Sequence, residues 1–140
     1  MRLISTILTV ICTLTITSAF SQTEAEWSPV GIAVTGNNSY KGIEMHYKFI
    51  DCNGEQTCVI RIINHNENNV EVEWHNGIFT NESVWVEDTE TTQKQIIGVK
   101  SEVYGICNDE NLSFPLKQLI DKPENAVRFR AFSLKVVILN

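Results

Sequence analysis

The histidines His46, His65 and His75 have the widest choice of chemistry in this chain, because imidazole can bind a metal ion or act as a general base. A zinc site needs three or four ligands at short spacings, and the sequence contains neither H-x-x-x-H nor H-E-x-x-H. His46 and His75 fall on the polar positions of alternating segments, and His65 begins an Asn-rich segment. We therefore expect three solvated histidines and no metal or other cofactor.

Glu71 and Glu73 could provide the two carboxylates of a small hydrolase. Residues i and i+2 of a strand share a face and lie about 7 Å apart, close to the separation of acid and base in glycosidases. No nucleophile or phosphate-loop motif accompanies them. The competing explanation is an exposed polar face, with the glutamates paired across strands to Arg61, Arg128 or Arg130. That explanation is preferred, so no catalytic residue is predicted.

Trp85 is followed by the acidic residues Glu87, Asp88 and Glu90. An exposed tryptophan can stack on a sugar or a partner protein, and grouped carboxylates can bind calcium. We predict this segment as the surface for a ligand or partner, with carbohydrate and calcium as the ligand alternatives. The competing explanation is a ring packed against a sheet edge beside a solvated acidic loop.

Cys52, Cys58 and Cys107 remain after Cys12, which lies in the apolar N-terminal run. An odd number permits one disulfide bond and leaves one thiol. The residues favour Cys52–Cys107 and leave Cys58–Cys107 and Cys52–Cys58 as alternatives. The favoured bond would close a loop of about 55 residues and stabilise the fold by about 4 kcal/mol in the chain-entropy model.

Two strands flank the turn dipeptide Asn53-Gly54, a strong hairpin signal. Matching their apolar faces places Phe49 opposite Ile60. In that register Cys52 and Cys58 are not directly paired, which disfavours a bond between them.

Alternation of apolar and polar residues is the main fold signal, and it is clearest in residues 42–51 and 70–76. Shorter apolar runs follow between turn signals, and residues 115–120 allow one or two helical turns. The pattern predicts an all-β protein: a single antiparallel β-sandwich, immunoglobulin-like, with seven to nine short strands. The order Cys58, Trp74, Cys107 resembles the immunoglobulin core.

Residues 1–21 have the features of a secretory signal peptide. Arg2 precedes an uncharged run, and the small residues Ala19 and Ser21 mark a cleavage site before Gln22. We expect residues 22–140 to form one secreted, periplasmic or cell-surface domain with no further membrane span.

The chain is acidic, with a formal net charge of −6. Removing residues 1–21 leaves 10 basic and 17 acidic residues, or about −7. Nucleic acids and anionic membranes are bound through basic surfaces, so neither is expected as a partner.

Three segments carry a resemblance: residues 47–55 with their Cys-Asn-Gly turn, the Asn-rich hairpin and Val-x-Val-x-Trp strand of 62–74, and Gly105-Ile106-Cys107. Together they resemble a group of short exported proteins from Bacteroidota-type bacteria. The resemblance implies a periplasmic or surface β-sandwich whose paired cysteines correspond to Cys52 and Cys107, and it provides no catalytic residues. Our leading hypothesis is a non-catalytic interaction or accessory module that binds another envelope or secreted protein.

Overall fold

The computed structural model of the protein describes residues 26–32 and 38–140, and these form ten β-strands and two short 3-10 turns. The predicted signal peptide, residues 1–21, lies outside the described residues. The strands are β1 Ser28–Pro29, β2 Ser39–Tyr40, β3 Ile43–Cys52, β4 Glu55–Asn64, β5 Val70–Thr80, β6 Trp85–Glu87, β7 Gln93–Ile97, β8 Glu102–Tyr104, β9 Ser113–Pro115 and β10 Ala126–Ile138.

Two antiparallel sheets result. In the first sheet the order is β1-β3-β4-β8, with β2 also paired to β3 and β9 to β4. In the second sheet the order is β10-β5-β6, with β7 also paired to β5. The all-β antiparallel sandwich is thus confirmed. There are ten strands rather than seven to nine because several have only two or three residues, too few to show alternation in the sequence.

The hairpin of β3 and β4 turns at Asn53 and Gly54, with φ angles of 55° and 85°. Positive φ at both central residues is typical of a two-residue hairpin turn. Such a turn makes Cys52 and Glu55 neighbours and places Phe49 opposite Cys58. The predicted pairing of Phe49 with Ile60 is therefore wrong by two residues, because it would centre the turn on Gly54-Glu55 instead of Asn53-Gly54. Since the error is even, the predicted faces are unchanged.

β5 is the central strand of the second sheet, and its alternation is as predicted. Val70, Val72 and Trp74 are fully buried. The Trp74 indole Nε1 donates to Asn76 Oδ1 at 2.9 Å, so its one polar group is satisfied inside the core. Phe129 of β10 meets Tyr47 of the first sheet with ring centres 5.9 Å apart, which joins the two sheets.

A disulfide bond joins Cys52 and Cys107, with 5.7 Å between their Cα atoms, which confirms the favoured pairing. It connects the end of β3 to the segment between β8 and β9, all three of which are strands of the first sheet. Cys58 is buried and free. The immunoglobulin-type arrangement, with Trp74 packed on a Cys58–Cys107 bond, is therefore not formed.

A single 3-10 turn, Leu116–Gln118, follows Pro115, in agreement with the helical turn predicted over residues 115–120. Leu116 is buried in the core. Within the described ranges, no helix is long and apolar enough to cross a membrane.

Candidate functional site

β10 presents Arg128, Arg130 and Phe132 on the outer face of the second sheet. This follows from strand alternation, since the intervening residues Phe129 and Ala131 are buried in the core. Arg128 is exposed, whereas Arg130 and Phe132 are half-buried. Two cations and an aromatic ring therefore form one row along the strand.

The neighbouring strands complete this surface with two more rings. Phe79 of β5 lies opposite both Arg128 of β10 and Trp85 of β6. Two residues along β5 from Phe79, Gly77 lies opposite Arg130, and a Cβ atom at Gly77 would overlap the ring of Phe132. The Phe132 ring therefore occupies the space that a side chain at position 77 would fill.

Trp85 contacts each of the other four residues, and we call the five the arginine–aromatic cluster: Phe79, Trp85, Arg128, Arg130 and Phe132. The guanidinium carbon of Arg128 lies 4.5 Å from the ring centre of Phe79, and that of Arg130 lies 4.5 Å from the ring centre of Trp85. The Trp85 ring centre is 5.0 Å from that of Phe79 and 5.5 Å from that of Phe132. Each such cation–π contact contributes about 0.5–2 kcal/mol, depending on how far it is shielded from water.

Neither arginine of the cluster has a carboxylate partner among the residues that the structure describes. Arg130 Nε is buried without a hydrogen-bond partner, and Gly31 lies beside this guanidinium. Glu87 is the acidic residue bordering the cluster, but its Oε1 lies 3.2 Å from His75 Nδ1. In a chain with a net charge of −6, these two uncompensated cations are held in place by rings rather than by acids.

Glu71 and Glu73 lie on the same face of the sheet and bind lysines. Lys94 Nζ is 3.1 Å from Glu73 Oε1 and 3.7 Å from Glu71 Oε1, and Lys135 Nζ is 4.0 Å from Glu73 Oε2. The predicted pairing with Arg61, Arg128 or Arg130 is wrong. The register of the sheet places Lys94 and Lys135 opposite Glu73, while Arg61 binds Glu102 on the other sheet.

Of the predicted surface Trp85, Glu87, Asp88 and Glu90, only Trp85 belongs to the cluster. Asp88 Oδ1 accepts hydrogen bonds from the backbone N–H groups of Glu90 and Thr91, so it stabilises its own turn. Glu90 is exposed. The carboxylates of this segment do not converge, and within residues 26–32 and 38–140 no three acidic, His or Cys side chains are placed to hold a metal ion.

Glu44 brings two of the histidines together. Its Oε1 lies 2.6 Å from His46 Nε2 and its Oε2 lies 2.9 Å from His65 Nε2. These hydrogen bonds, that of His65 first, lower the pKa of the Glu44 carboxyl group. His65 is solvated as expected, but the His46 side chain is only 17% exposed, because a carboxylate on the same strand face covers it.

His75 lies between a carboxylate and a hydroxyl group. Its Nδ1 faces Glu87 at 3.2 Å and its Nε2 lies 3.1 Å from Thr92 Oγ1. This is the order of hydroxyl, imidazole and carboxylate found in hydrolytic triads. The side chain of His75 is 21% exposed, so the expectation of a solvated histidine is wrong here as well.

Two clefts lie outside the cluster. One, of about 630 Å³, has a polar lining that includes Asn76, Asp88 and Asp109 and contains no lysine, arginine or histidine. The other, of about 490 Å³, lies on the outer face of the first sheet, where Trp27 and Tyr104 flank the buried Val59. Neither cleft is lined by a residue of the cluster.

Comparison of the chain with protein-family models, curated proteins and solved structures finds no match. The function therefore has to be argued from the arrangement of the residues themselves.

The sequence contained a signal for the cluster that the prediction did not use. Arg128, Arg130 and Phe132 alternate with buried residues, which places them on one outward face. Because the prediction paired both arginines with glutamates, it did not include them in the candidate surface. What the sequence could not show is that β10 pairs with β5 so that these arginines meet Phe79 and Trp85.

Proposed function

We propose that this protein is an exported, non-catalytic interaction module and that the arginine–aromatic cluster is its contact surface for another envelope or secreted protein. The observation that carries the proposal is the contact of Trp85 with two arginines that have no acidic partner among the described residues. Tryptophan and arginine are the residues most enriched at the energetic centres of protein interfaces.

The shape of the surface favours a protein over a small ligand. Small molecules bind in concave sites that cover most of their surface, whereas protein interfaces are broad and open. The cluster lies on an outer sheet face, and its residues line neither of the two clefts.

The Cys52–Cys107 bond supports an exported protein, because structural disulfide bonds persist in oxidising compartments. It agrees with the export signal expected from residues 1–21. The proposed partner is accordingly a protein of the same compartment.

Site-specific cross-linking tests the contact surface. A photo-reactive residue at Val127, which is 50% exposed and precedes Arg128, should give a discrete adduct with one partner in the envelope fraction. The matched control is Tyr104, which is 59% exposed on the outer face of the first sheet. An adduct at Tyr104 and none at Val127 would contradict the proposal.

The captured partner is then purified and its affinity is measured against two tryptophan variants. Trp85→Ala should weaken binding at least about tenfold, as expected of a residue at the centre of an interface. Trp27→Ala, on the opposite face beside Lys48, should leave the affinity unchanged. Equal affinities of both variants for the partner would remove Trp85 from the interface.

A small hydrolase is the second candidate, favoured by the contacts of His75 with Thr92 and Glu87. In that role Thr92 Oγ1 would attack an ester carbonyl while His75 Nε2 accepts its proton and passes it to the leaving alcohol. Water, deprotonated by His75, would then cleave the acyl-threonine, releasing the acid and restoring the hydroxyl group. Hydrolysis of p-nitrophenyl acetate that is lost in both Thr92→Val and His75→Gln would favour the hydrolase. A rate equal to that of the Thr92→Val variant favours the interaction module.

A further inference from the structure

We infer that the partner presents two carboxylates, spaced as on alternate residues of an extended segment, to Arg128 and Arg130. This inference rests on the proposed function, because it specifies the chemistry of the partner at the same surface. The juxtaposition behind it is a pair of arginines fixed by the Trp85 and Phe79 rings and unpaired with any acid in the described ranges.

Arg128 and Arg130 have no acidic partner among the described residues, whereas the other cationic side chains of the same sheet are paired with glutamates. Lys94 and Lys135, further along the same outer face, are both bound by Glu73. Arg61 on the other sheet is bound by Glu102. The Nη groups of an arginine without a carboxylate can donate hydrogen bonds to an external anion, whereas the buried Arg130 Nε is out of its reach.

The aromatic rings fix the orientation of the guanidinium N–H donors of the two arginines. A guanidinium group stacked on a ring keeps its N–H groups in its own plane, where they can bind a carboxylate through two parallel hydrogen bonds. Arg128 and Arg130 are residues i and i+2 of β10, so their Cα atoms lie about 7 Å apart. Acidic residues at i and i+2 of an extended partner segment have the same spacing and match this pair.

The remainder of the surface argues against a polyanion as the partner. The chain has a net charge of −6, and beyond Arg130 the same face carries Glu87, Glu73 and Glu71. A membrane of anionic lipid or a nucleic acid would be repelled outside the two arginines. A short acidic segment of a protein would not be repelled, because its negative charge lies at only two positions, opposite the arginines.

The direct test is an NMR titration of the folded protein that follows the Nε–Hε signals of Arg128 and Arg130. The probe is a short peptide that alternates glutamate with serine, and its control has glutamine in place of glutamate. We expect the two arginine signals to shift and the glutamate peptide to bind at least about tenfold more tightly than its control. Equal binding of the two peptides would overturn the inference.

Substitutions identify the residues that are responsible for the preference for the glutamate peptide. Arg128→Gln with Arg130→Gln should abolish the preference for glutamate, whereas Arg61→Gln on the first sheet should keep it. Arg128→Lys with Arg130→Lys keeps the charge and the fold but loses the planar fork, so an intermediate affinity is expected. A preference for glutamate that survives the double glutamine variant would overturn the assignment to these arginines.

Two further probes test the class of the ligand. A glucuronate oligosaccharide and vesicles containing phosphatidylglycerol should shift the arginine signals less than the glutamate peptide does. A larger response to either would overturn the acidic protein segment as the ligand.

The partner captured at Val127 separates this inference from the proposed function. If that partner binds the double glutamine variant as tightly as the unmodified protein, but loses affinity for Trp85→Ala, the surface is correct and the carboxylates are wrong. If no partner is captured at Val127 while the peptide still binds, the arginines bind acidic groups and the proposed function is wrong.

Discussion

The guanidinium carbon of Arg130 lies 4.5 Å from the ring centre of Trp85, although β5 separates the strands that carry the two residues. The arginine reaches across β5 at Gly77, the residue that pairs with both Arg130 and Glu87. A glycine in the middle of the central strand therefore allows the contact on which the candidate surface depends.

Gly77→Ala should destabilise the fold by about 1–3 kcal/mol, because the added methyl group overlaps the ring of Phe132 and must displace it. Urea unfolding measures this change. The matched control is Gly31→Ala, where a Cβ atom would lie 3.8 Å from the Arg130 guanidinium, an ordinary contact distance. Equal stability of the two variants would show that the Phe132 ring does not lie over Gly77.

Gly54→Ala should cost about 1–2 kcal/mol, because the residue has a φ angle of 85° and a side chain is strained there. A Cβ atom at Gly54 would have no neighbour within 4 Å, so the cost is one of backbone conformation alone. Asn53→Gly, at the other turn position, should change stability little. Thermal unfolding of both variants distinguishes them, and an unaffected Gly54→Ala variant would argue against the two-residue turn.

Cys58 should not react with a thiol reagent in the folded protein. It is fully buried, and burial raises the pKa of its thiol well above the ordinary value, so little thiolate forms. A chain that begins at Gln22 should show one reactive thiol only after unfolding without reductant. Rapid labelling under native conditions, or three thiols after unfolding, would contradict the cysteine assignment.

Replacing Cys52 and Cys107 together by serine should lower the free energy of unfolding by about 4 kcal/mol, because the bond closes a separation of 55 residues. Urea unfolding of the disulfide-bonded protein and of the double serine variant, both without reductant, measures the difference. A change below about 1 kcal/mol would indicate that the bond does little to restrict the unfolded chain.

Glu44 should make stability depend on pH in the acidic range. Its pKa is lower in the folded protein than the ordinary value of 4.5, because His65 and His46 donate to the carboxylate. The group therefore contributes stability above pH 4.5 that is lost as the pH falls through the lowered pKa. Since the side chain is partly exposed, the contribution is about 1 kcal/mol or less.

The comparison of Glu44→Gln with the unmodified protein measures this contribution. The difference in unfolding free energy should be present above pH 4.5 and should vanish in strong acid. Glu67→Gln is the control, since Glu67 is exposed and pairs with Lys100. A Glu44→Gln difference that does not shrink below pH 4.5 would contradict the role of the carboxylate.

Sequence patterns predicted the long strands because each buries one face. β3, β4 and β5 have ten or eleven residues, which is enough for alternation to be read. The three-residue strands β8 and β9 complete the first sheet by pairing with β4, and such short strands have no periodicity of their own. The register of the hairpin was predictable in principle, because the Asn53-Gly54 turn determines it.

The candidate surface was harder to predict because it depends on pairing between distant segments. Trp85 was identified from its residue type, but Arg130 lies 45 positions further along the chain. Their contact requires both the register of β10 on β5 and the missing side chain at Gly77. The pair of Glu44 with His65 similarly requires the end of β4 to lie beside β3, whereas His46 lies on β3 itself.

The three tryptophans offer the most direct measurement of the central claim, because each occupies a different environment. Trp85 belongs to the arginine–aromatic cluster, Trp74 is buried in the core, and Trp27 lies on the outer face of the first sheet. Their indole N–H signals are resolved in one NMR spectrum, recorded before and after adding the partner captured at Val127. We predict that the Trp85 signal shifts while those of Trp74 and Trp27 remain in place. A shift of the Trp27 signal with Trp85 unchanged would contradict the account.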